Sequence, residues 1–265
     1  MPNTKPLTSD PDLVAALSKV PAVTLSFWVI KILATTLGET GGDTASMTFN
    51  LGYLVATAIF LTLLVVLVIA QIRTRRFHPI LYWATIIAST TAGTTMADFA
   101  TRSLGIGYPG GSLLLLTCVL GSLAAWRLTL GKVDTDHIQT PKAETFYWIT
   151  ITLSQTLGTA LGDWTADTGG IGYAGAAMIF AAMLAAVVAL YYWTTVSRIV
   201  LFWAAFILTR PLGAAVGDFL DKSHQQGGLA MSRPLASAVL AVLIIILIWA
   251  LPQRAGRRPT NPVSH

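Results

Sequence analysis

Apolar residues gather into eight runs along the chain, at about 22–42, 51–71, 80–98, 111–129, 145–163, 174–194, 199–218 and 234–251. As helices, runs of roughly 18–22 apolar residues are long enough to cross about 30 Å of hydrocarbon. The runs alternate between two kinds. Even runs are plain and rich in Leu, Val, Ala and Ile, while odd runs carry Thr, Ser, Gly and single charges. This pattern predicts an all-α integral membrane protein of eight transmembrane helices, with the even helices turned more towards lipid.

The odd runs share one phrase. An aromatic–Trp pair is followed by a Gly ten residues after the Trp and an Asp five residues later. The copies are Phe27-Trp28, Gly38, Asp43; Tyr82-Trp83, Gly93, Asp98; Tyr147-Trp148, Gly158, Asp163; and Phe202-Trp203, Gly213, Asp218. Each copy and the plain helix after it form one unit, so the chain reads as four parallel two-helix repeats about an axis along the membrane normal. The Trp-to-Trp steps are 55, 65 and 55 residues, and the longer one holds the segment Gly131 to Glu144. Five regions follow: a cytoplasmic N-terminal segment (1–20), a first half (21–130), a cytoplasmic linker (131–144), a second half (145–252) and a cytoplasmic tail (253–265). Gly-Tyr follows three of the phrases, at Gly52-Tyr53, Gly107-Tyr108 and Gly172-Tyr173, whereas the fourth unit has Gly227-Gly228.

Composition fixes the class. Apolar residues make up 54% and charged residues 11%, against about 25% charged in a soluble protein. The pI near 9.5 then reads as topology, not as nucleic-acid binding. Arg73, Arg75, Arg76, Lys132, Lys142, Arg198, Arg254, Arg257 and Arg258 follow even helices, and Lys5 and Lys19 precede the first; only Arg102, Lys222 and Arg233 follow odd ones. The bias places both termini in the cytoplasm and the four Asp residues towards the outer face. The compartment expected is the bacterial cytoplasmic (inner) membrane. The first twenty residues lack the apolar core of a cleavable signal peptide. The single cysteine, Cys118, lies in an apolar run and reads as a small core residue.

Within the phrase, the Trp residues suit an interfacial belt. Each Gly is followed four residues later by Gly42, Ala97, Gly162 or Gly217, a small-xxx-small spacing that lets the odd helices approach one another inside the bundle. The Asp residues have two readings. They can close the helix by bonding backbone N–H groups, or they can handle cations or protons, since a carboxylate at a helix C-terminus faces an already negative pole.

The copies differ in informative places. One residue after the Gly stand Glu39, Thr94, Thr159 and Ala214, so only the first unit doubles its acid. Glu39 and Asp43 share one helix face and need a cation, a proton or a basic partner. Seven residues after the Trp stand Thr35, Thr90, Gln155 and Arg210, midway along their helices. Lys31 lies at a similar depth to Arg210. An intramembrane base marks either a functional site or an internal ion pair, and no acid lies at that depth on the same helices. Pro211 interrupts the backbone beside Arg210 as a kink or as part of a lined site. The many Thr and Ser of the odd helices form a polar lining or an interhelical hydrogen-bond web.

No intramembrane His, Cys/His metal cluster, P-loop or nucleophile–base–acid set occurs, so the chain is not expected to be an enzyme. No cofactor is expected beyond a bound metal cation. Lys19 to Asp43, with Glu39-Thr-Gly-Gly-Asp43 at its end, resembles the opening of a bacterial multispanning family described as uncharacterised membrane-anchored proteins. Leu208 to Asp218 is similar to its closing segment, and the resemblance covers nearly the whole chain. Glu39-Thr-Gly-Gly-Asp43 is also similar to the Glu-x-Gly-Asp-Lys/Arg motif of manganese and calcium cation/proton exchangers, though one residue longer and without the following base.

The leading expectation is a secondary transporter of a cation, divalent such as Mn or Ca, because hard oxygen ligands favour Mg, Ca or Mn. Glu39, Asp43, Asp98, Asp163 and Asp218 are its expected metal ligands. Lys31, Arg210, Gln155, Thr35 and Thr90 complete the site. Two alternatives are an anion or organic-acid transporter built on Lys31 and Arg210, and a non-transporting scaffold or sensor partner. The partners expected are the lipid bilayer and a small ion or molecule, with no nucleic acid. The repeats suit either a pseudo-fourfold pore in one chain or a homo-oligomer with a site in each subunit.

Overall fold

A computed structural model describes residues 21–74, 77–131, 133, 140–168 and 170–254. The expected N-terminal segment, part of the linker and most of the tail lie outside them. The described residues contain eight long helices and no sheet: α1 (Leu25–Asp43), α2 (Gly52–Arg73), α3 (Pro79–Asp98), α4 (Gly107–Leu130), α5 (Pro141–Thr168), α6 (Gly172–Trp193), α7 (Arg198–Asp221) and α8 (Arg233–Ala250). Five stretches are long and apolar enough to cross a membrane: Gly52–Arg73, Gly107–Leu130, Gly172–Trp193, Val200–Asp221 and Arg233–Ala250. The other three, α1, α3 and α5, carry the Thr-rich phrases.

Local chemistry sets the helix starts. The Thr24 hydroxyl accepts the Phe27 N–H at 3.3 Å and caps α1. Prolines stand in the first turns of α3 and α8, where a missing N–H costs nothing. The recurrent Gly-Tyr opens α2, α4 and α6, and its glycines hold φ of 72°, 64° and 66°. That left-handed conformation explains why Gly recurs there. α1 and α3 each run on into a π-helical turn, Thr44–Thr48 and Phe99–Ser103. α5 starts at Pro141, inside the expected linker, and runs five residues past Asp163.

The packing is a closed ring. α1 packs on α3, α3 on α5, α5 on α7, and α7 back on α1. Outside it, α2 lies on α3, α4 on α5, α6 on α7 and α8 on α1. Every outer helix thus rests chiefly on the inner helix of the following repeat, and the last closes on the first. One chain makes a pseudo-fourfold assembly.

The phrase glycines are the joints of that ring. A Cβ on Gly38 would overlap the Thr90 side chain; on Gly93 it would stand 3.4 Å from the Gln155 carbonyl carbon; on Gly158, 2.6 Å from Arg210 Cγ; and on Gly213 it would overlap Thr35. Each repeat's glycine therefore receives the mid-helix polar residue of the next repeat, in a closed cycle. Hydroxyls fasten the same joints: Thr90 Oγ1 donates to the Ala34 carbonyl (3.2 Å), and Thr35 Oγ1 to the equivalent Thr209 carbonyl (3.1 Å).

The expected interfacial Trp belt is corrected in part. Trp83 and Trp148 are 0% and 4% exposed, in one aromatic cluster with Phe27 and Tyr82. Trp28 and Trp203 are half-buried at its edge. Ring closure brings the four Trp ends together, so these side chains seal one end of the bundle instead of all facing a boundary. Ala22 and Arg254 meet there, the Ala22 N–H donating to the Arg254 carbonyl at 2.8 Å. Cys118 is exposed on α4, not a core residue, because outer helices keep one face free.

Candidate functional site

The four inner helices enclose a column of buried charge. Its lowest member, counting from the aromatic end, is Lys31. The side chain is fully buried, its Nζ lies 3.5 Å from Gln155 Oε1 and 4.2 Å from the centre of the Phe206 ring, and no carboxylate pairs with it among the described residues. Gln155 is held in turn by donating to Ser89 Oγ at 3.0 Å.

Arg210 occupies the next level. Its Nε donates to the Gln155 carbonyl (3.1 Å), Nη1 to the Thr35 carbonyl (2.9 Å) and Nη2 to the Thr90 carbonyl (3.2 Å). These carbonyls belong to equivalent positions of the other three repeats. Nη2 also meets Thr94 Oγ1 (2.6 Å), Thr159 Oγ1 and Glu39 Oε2 (3.3 Å), again three equivalent positions. Two tiers of oxygens from three helices surround one guanidinium. The mid-helix base thus finds its acid on another helix, α1.

The four repeated Asp residues lie beyond, all buried, and they are not backbone caps. Asp98 and Asp218 make no hydrogen bond to backbone, and Asp43 and Asp163 bond side-chain bases. Arg102, four residues after Asp98, spans Asp98 Oδ1 (2.9 Å) and Asp163 Oδ2 (3.1 Å). Lys222, four residues after Asp218, spans Asp218 Oδ1 (2.8 Å) and Asp43 Oδ2 (2.9 Å). The two bases hold equivalent positions in repeats two and four, and each ties its own Asp to that of the following repeat. Burial opposes both charges, but Asp98 and Asp163 around Arg102, and Asp218, Asp43 and Asp221 around Lys222, outweigh it and hold both bases protonated above their usual ranges.

These bases, Asp221 and Arg233 were missed as site members in the sequence. Arg102 and Lys222 counted only as loop charges, although a base four residues after an acid on a helix is itself a pairing signal. Arg233 Nε lies 3.3 Å from Asp221 Oδ2 and 3.6 Å from Asp43 Oδ2. Six buried carboxylates (Glu39, Asp43, Asp98, Asp163, Asp218, Asp221) therefore meet four bases (Arg102, Arg210, Lys222, Arg233). With all groups ionised these ten carry two excess negative charges, and Lys31 at the aromatic end reduces the excess of the whole column to one.

Two triplets have metal-like spacing. Glu39, Asp163 and Asp218 each place one oxygen within 4.8 Å of the others, as do Asp43, Asp218 and Asp221. In the first triplet, Asp163 Oδ1 and Asp218 Oδ2 are buried without a hydrogen-bond partner. An unpartnered buried carboxylate oxygen is costly, and a cation or proton there would satisfy it. Asp98 joins neither triplet.

The threonine hydroxyls bond backbone carbonyls within and between helices. Thr36, Thr85, Thr91 and Thr156 return their hydroxyls to carbonyls four residues earlier on their own helices, and Thr94 Oγ1 crosses to the Gly38 carbonyl at 3.1 Å.

A family model described as Repeat of Unknown Function (DUF347) matches residues 26–77, 81–131, 146–197 and 201–255. The chain belongs to that family. Each matched repeat spans one inner helix and the outer helix after it, the unit from which the ring is built. No curated protein and no solved structure matches the chain.

Proposed function

We propose that the chain is a multispanning membrane protein that carries a small cation, a divalent ion such as Mn or Ca, as a secondary transporter. The observation that carries this reading is the convergence of Glu39, Asp163 and Asp218 from three helices, with buried oxygens of Asp163 and Asp218 that lack a hydrogen-bond partner. A cation or protons would satisfy those oxygens, which suits exchange of the one for the other at the same carboxylates. Hard oxygen donors favour Mg, Ca or Mn.

The outer surface supports the membrane part. Leu63 and Val66 on α2, Leu120 on α4, Val188 on α6, and Val242 and Ile246 on α8 are exposed apolar residues on all four outer helices, as a lipid-facing surface requires. The compartment we propose is the bacterial cytoplasmic membrane. Both termini would be cytoplasmic, since Arg73, Arg198 and Arg254 lie at the aromatic end, and the repeated Asp residues would face outward.

The anion alternative is weaker, because every nitrogen of Arg210 is already engaged. A pure scaffold accounts for the glycine joints but not for unpartnered carboxylate oxygens at their centre. Flux into proteoliposomes tests the proposal, comparing the wild type with Glu39→Gln, Asp163→Asn and Asp218→Asn. Loss of divalent-cation flux in these variants is expected. Wild-type rates in all three would refute it.

A further inference from the structure

The fourth repeat departs from the other three at its outer end. It lacks the Gly-Tyr turn, and the segment after α7 folds back on the helix. The Leu229 N–H donates to the Phe219 carbonyl (2.8 Å), Ala230 to Lys222 (2.9 Å) and Met231 to Leu220 (2.9 Å). Gly228 lies so close to the Lys222 backbone that a Cβ would overlap it. Residue 222 therefore has a clamped backbone, and only its flexible four-carbon side chain is left to move. Beside it opens a cavity of about 420 Å³, whose lining includes Thr48, Asp221, Lys222, Ser223, Gln226 and Arg233. Arg102, at the equivalent position of the second repeat, is not in that lining.

The Lys222 Nζ sits among Asp43, Asp218 and Asp221, at 2.9, 2.8 and 3.8 Å. The Asp221 side chain is fully buried within this triplet, and neither of its oxygens has a hydrogen bond. An ammonium, with three donors and one charge, thus occupies a place where three carboxylates converge as metal ligands do.

We propose that Asp43, Asp218 and Asp221 form an entry site for a divalent cation, and that Lys222 is its tethered occupant, displaced into the neighbouring cavity when the ion arrives. Charge selects the ion class. The three carboxylates face two bases, Lys222 and Arg233; with Lys222 swung out they face one, leaving two negative charges for a divalent ion. Asp218 also belongs to the inner triplet with Glu39 and Asp163, so it can hand the ion inward. That last step rests on the transport reading; the entry site itself does not.

Manganese binding, read by electron paramagnetic resonance on purified protein, tests the site. Lys222→Met is expected to bind Mn²⁺ at least ten-fold more tightly than the wild type. Adding Asp221→Asn removes the gain, and Arg127→Met, at a base in the last turn of α4 and outside the column, shows none. No gain in Lys222→Met, an equal gain in Arg127→Met, or a gain that survives Asp221→Asn would overturn the proposal. A variant-free measurement covers a Lys222→Met protein that fails to fold. In the wild type, Mn²⁺ should raise the labelling of Lys222 by an amine-directed reagent several-fold, scored by peptide mass spectrometry; unchanged or reduced labelling overturns the proposal. Mn²⁺-dependent labelling without flux would refute transport and keep the entry site, and flux without such labelling the reverse.

Discussion

Arg210→Met isolates what the central guanidinium contributes. Met keeps much of the side-chain volume, so the main losses are polar. The carbonyls of Thr35, Thr90 and Gln155 lose a donor, as do the hydroxyls of Thr94 and Thr159. The largest effect falls on Glu39, which is buried and keeps only the Thr94 hydroxyl at 3.1 Å. Removing one partner of a buried ion pair costs about 3–5 kcal/mol. At about 2–4 °C per kcal/mol for a chain of this size, the midpoint of thermal unfolding in detergent should fall by about 6–20 °C. The companion variant Glu39→Gln should relieve part of the loss, with a coupling in the double-mutant cycle of about 2–3 kcal/mol. A fall under about 3 °C, or additive single effects, would refute the idea that Arg210 and Glu39 hold the ring centre together.

Four other substitutions test separate links. Gly38→Ala and Gly213→Ala place a Cβ inside Thr90 and Thr35, and each should cost about 1–3 kcal/mol by unfolding midpoint. Gly121→Ala, on the outer helix α4 with nothing within 4 Å, should be neutral or stabilising; equal losses at all three sites would remove the case for glycine joints. Lys31→Met replaces a buried ammonium that has one hydrogen bond at 3.5 Å. It should leave stability unchanged or raise it by about 1–4 kcal/mol, and a loss of more than about 2 kcal/mol would mean Lys31 is a packing residue.

The helices and their grouping into repeats were legible because both follow from local pattern. Run length gives the helix, and a copied Trp, Gly and Asp spacing gives the unit. Ring closure was not legible. Nothing local says that Gly213 receives Thr35, or that α8 closes on α1, since those partners lie at opposite ends of the chain. The same distance hid the Glu39–Arg210 pair, whose members are 171 residues apart. It also hid the burial of Trp83 and Trp148, which results from bringing four helix ends together. Asp218 and Lys222 are another case: their spacing was in plain view, but Lys222 was read only as a loop charge. The acids looked unpaired because their bases had been assigned elsewhere. Asp221 fell outside the repeated phrase altogether, and only the folded-back segment of the fourth repeat gives it a place beside the column.

Glycine joints, aromatic seal and charged column divide the work among the repeats. Packing is common to all four units, whereas charge is not. Repeat one supplies Glu39 and Lys31, repeats two and four supply the bridging bases Arg102 and Lys222, and repeat four adds Arg210 and Asp221. Duplication provided a frame, and the departures from it placed the chemistry.

The most direct test of a cation-accepting column is equilibrium binding of radioactive manganese to the purified wild type, beside Asp163→Asn and Asp218→Asn. The account predicts saturable binding of one ion per chain, weakened at least ten-fold in both variants, as expected from losing a charged ligand worth about 1.4 kcal/mol or more. No saturable binding by the wild type, or binding untouched by both substitutions, would contradict it.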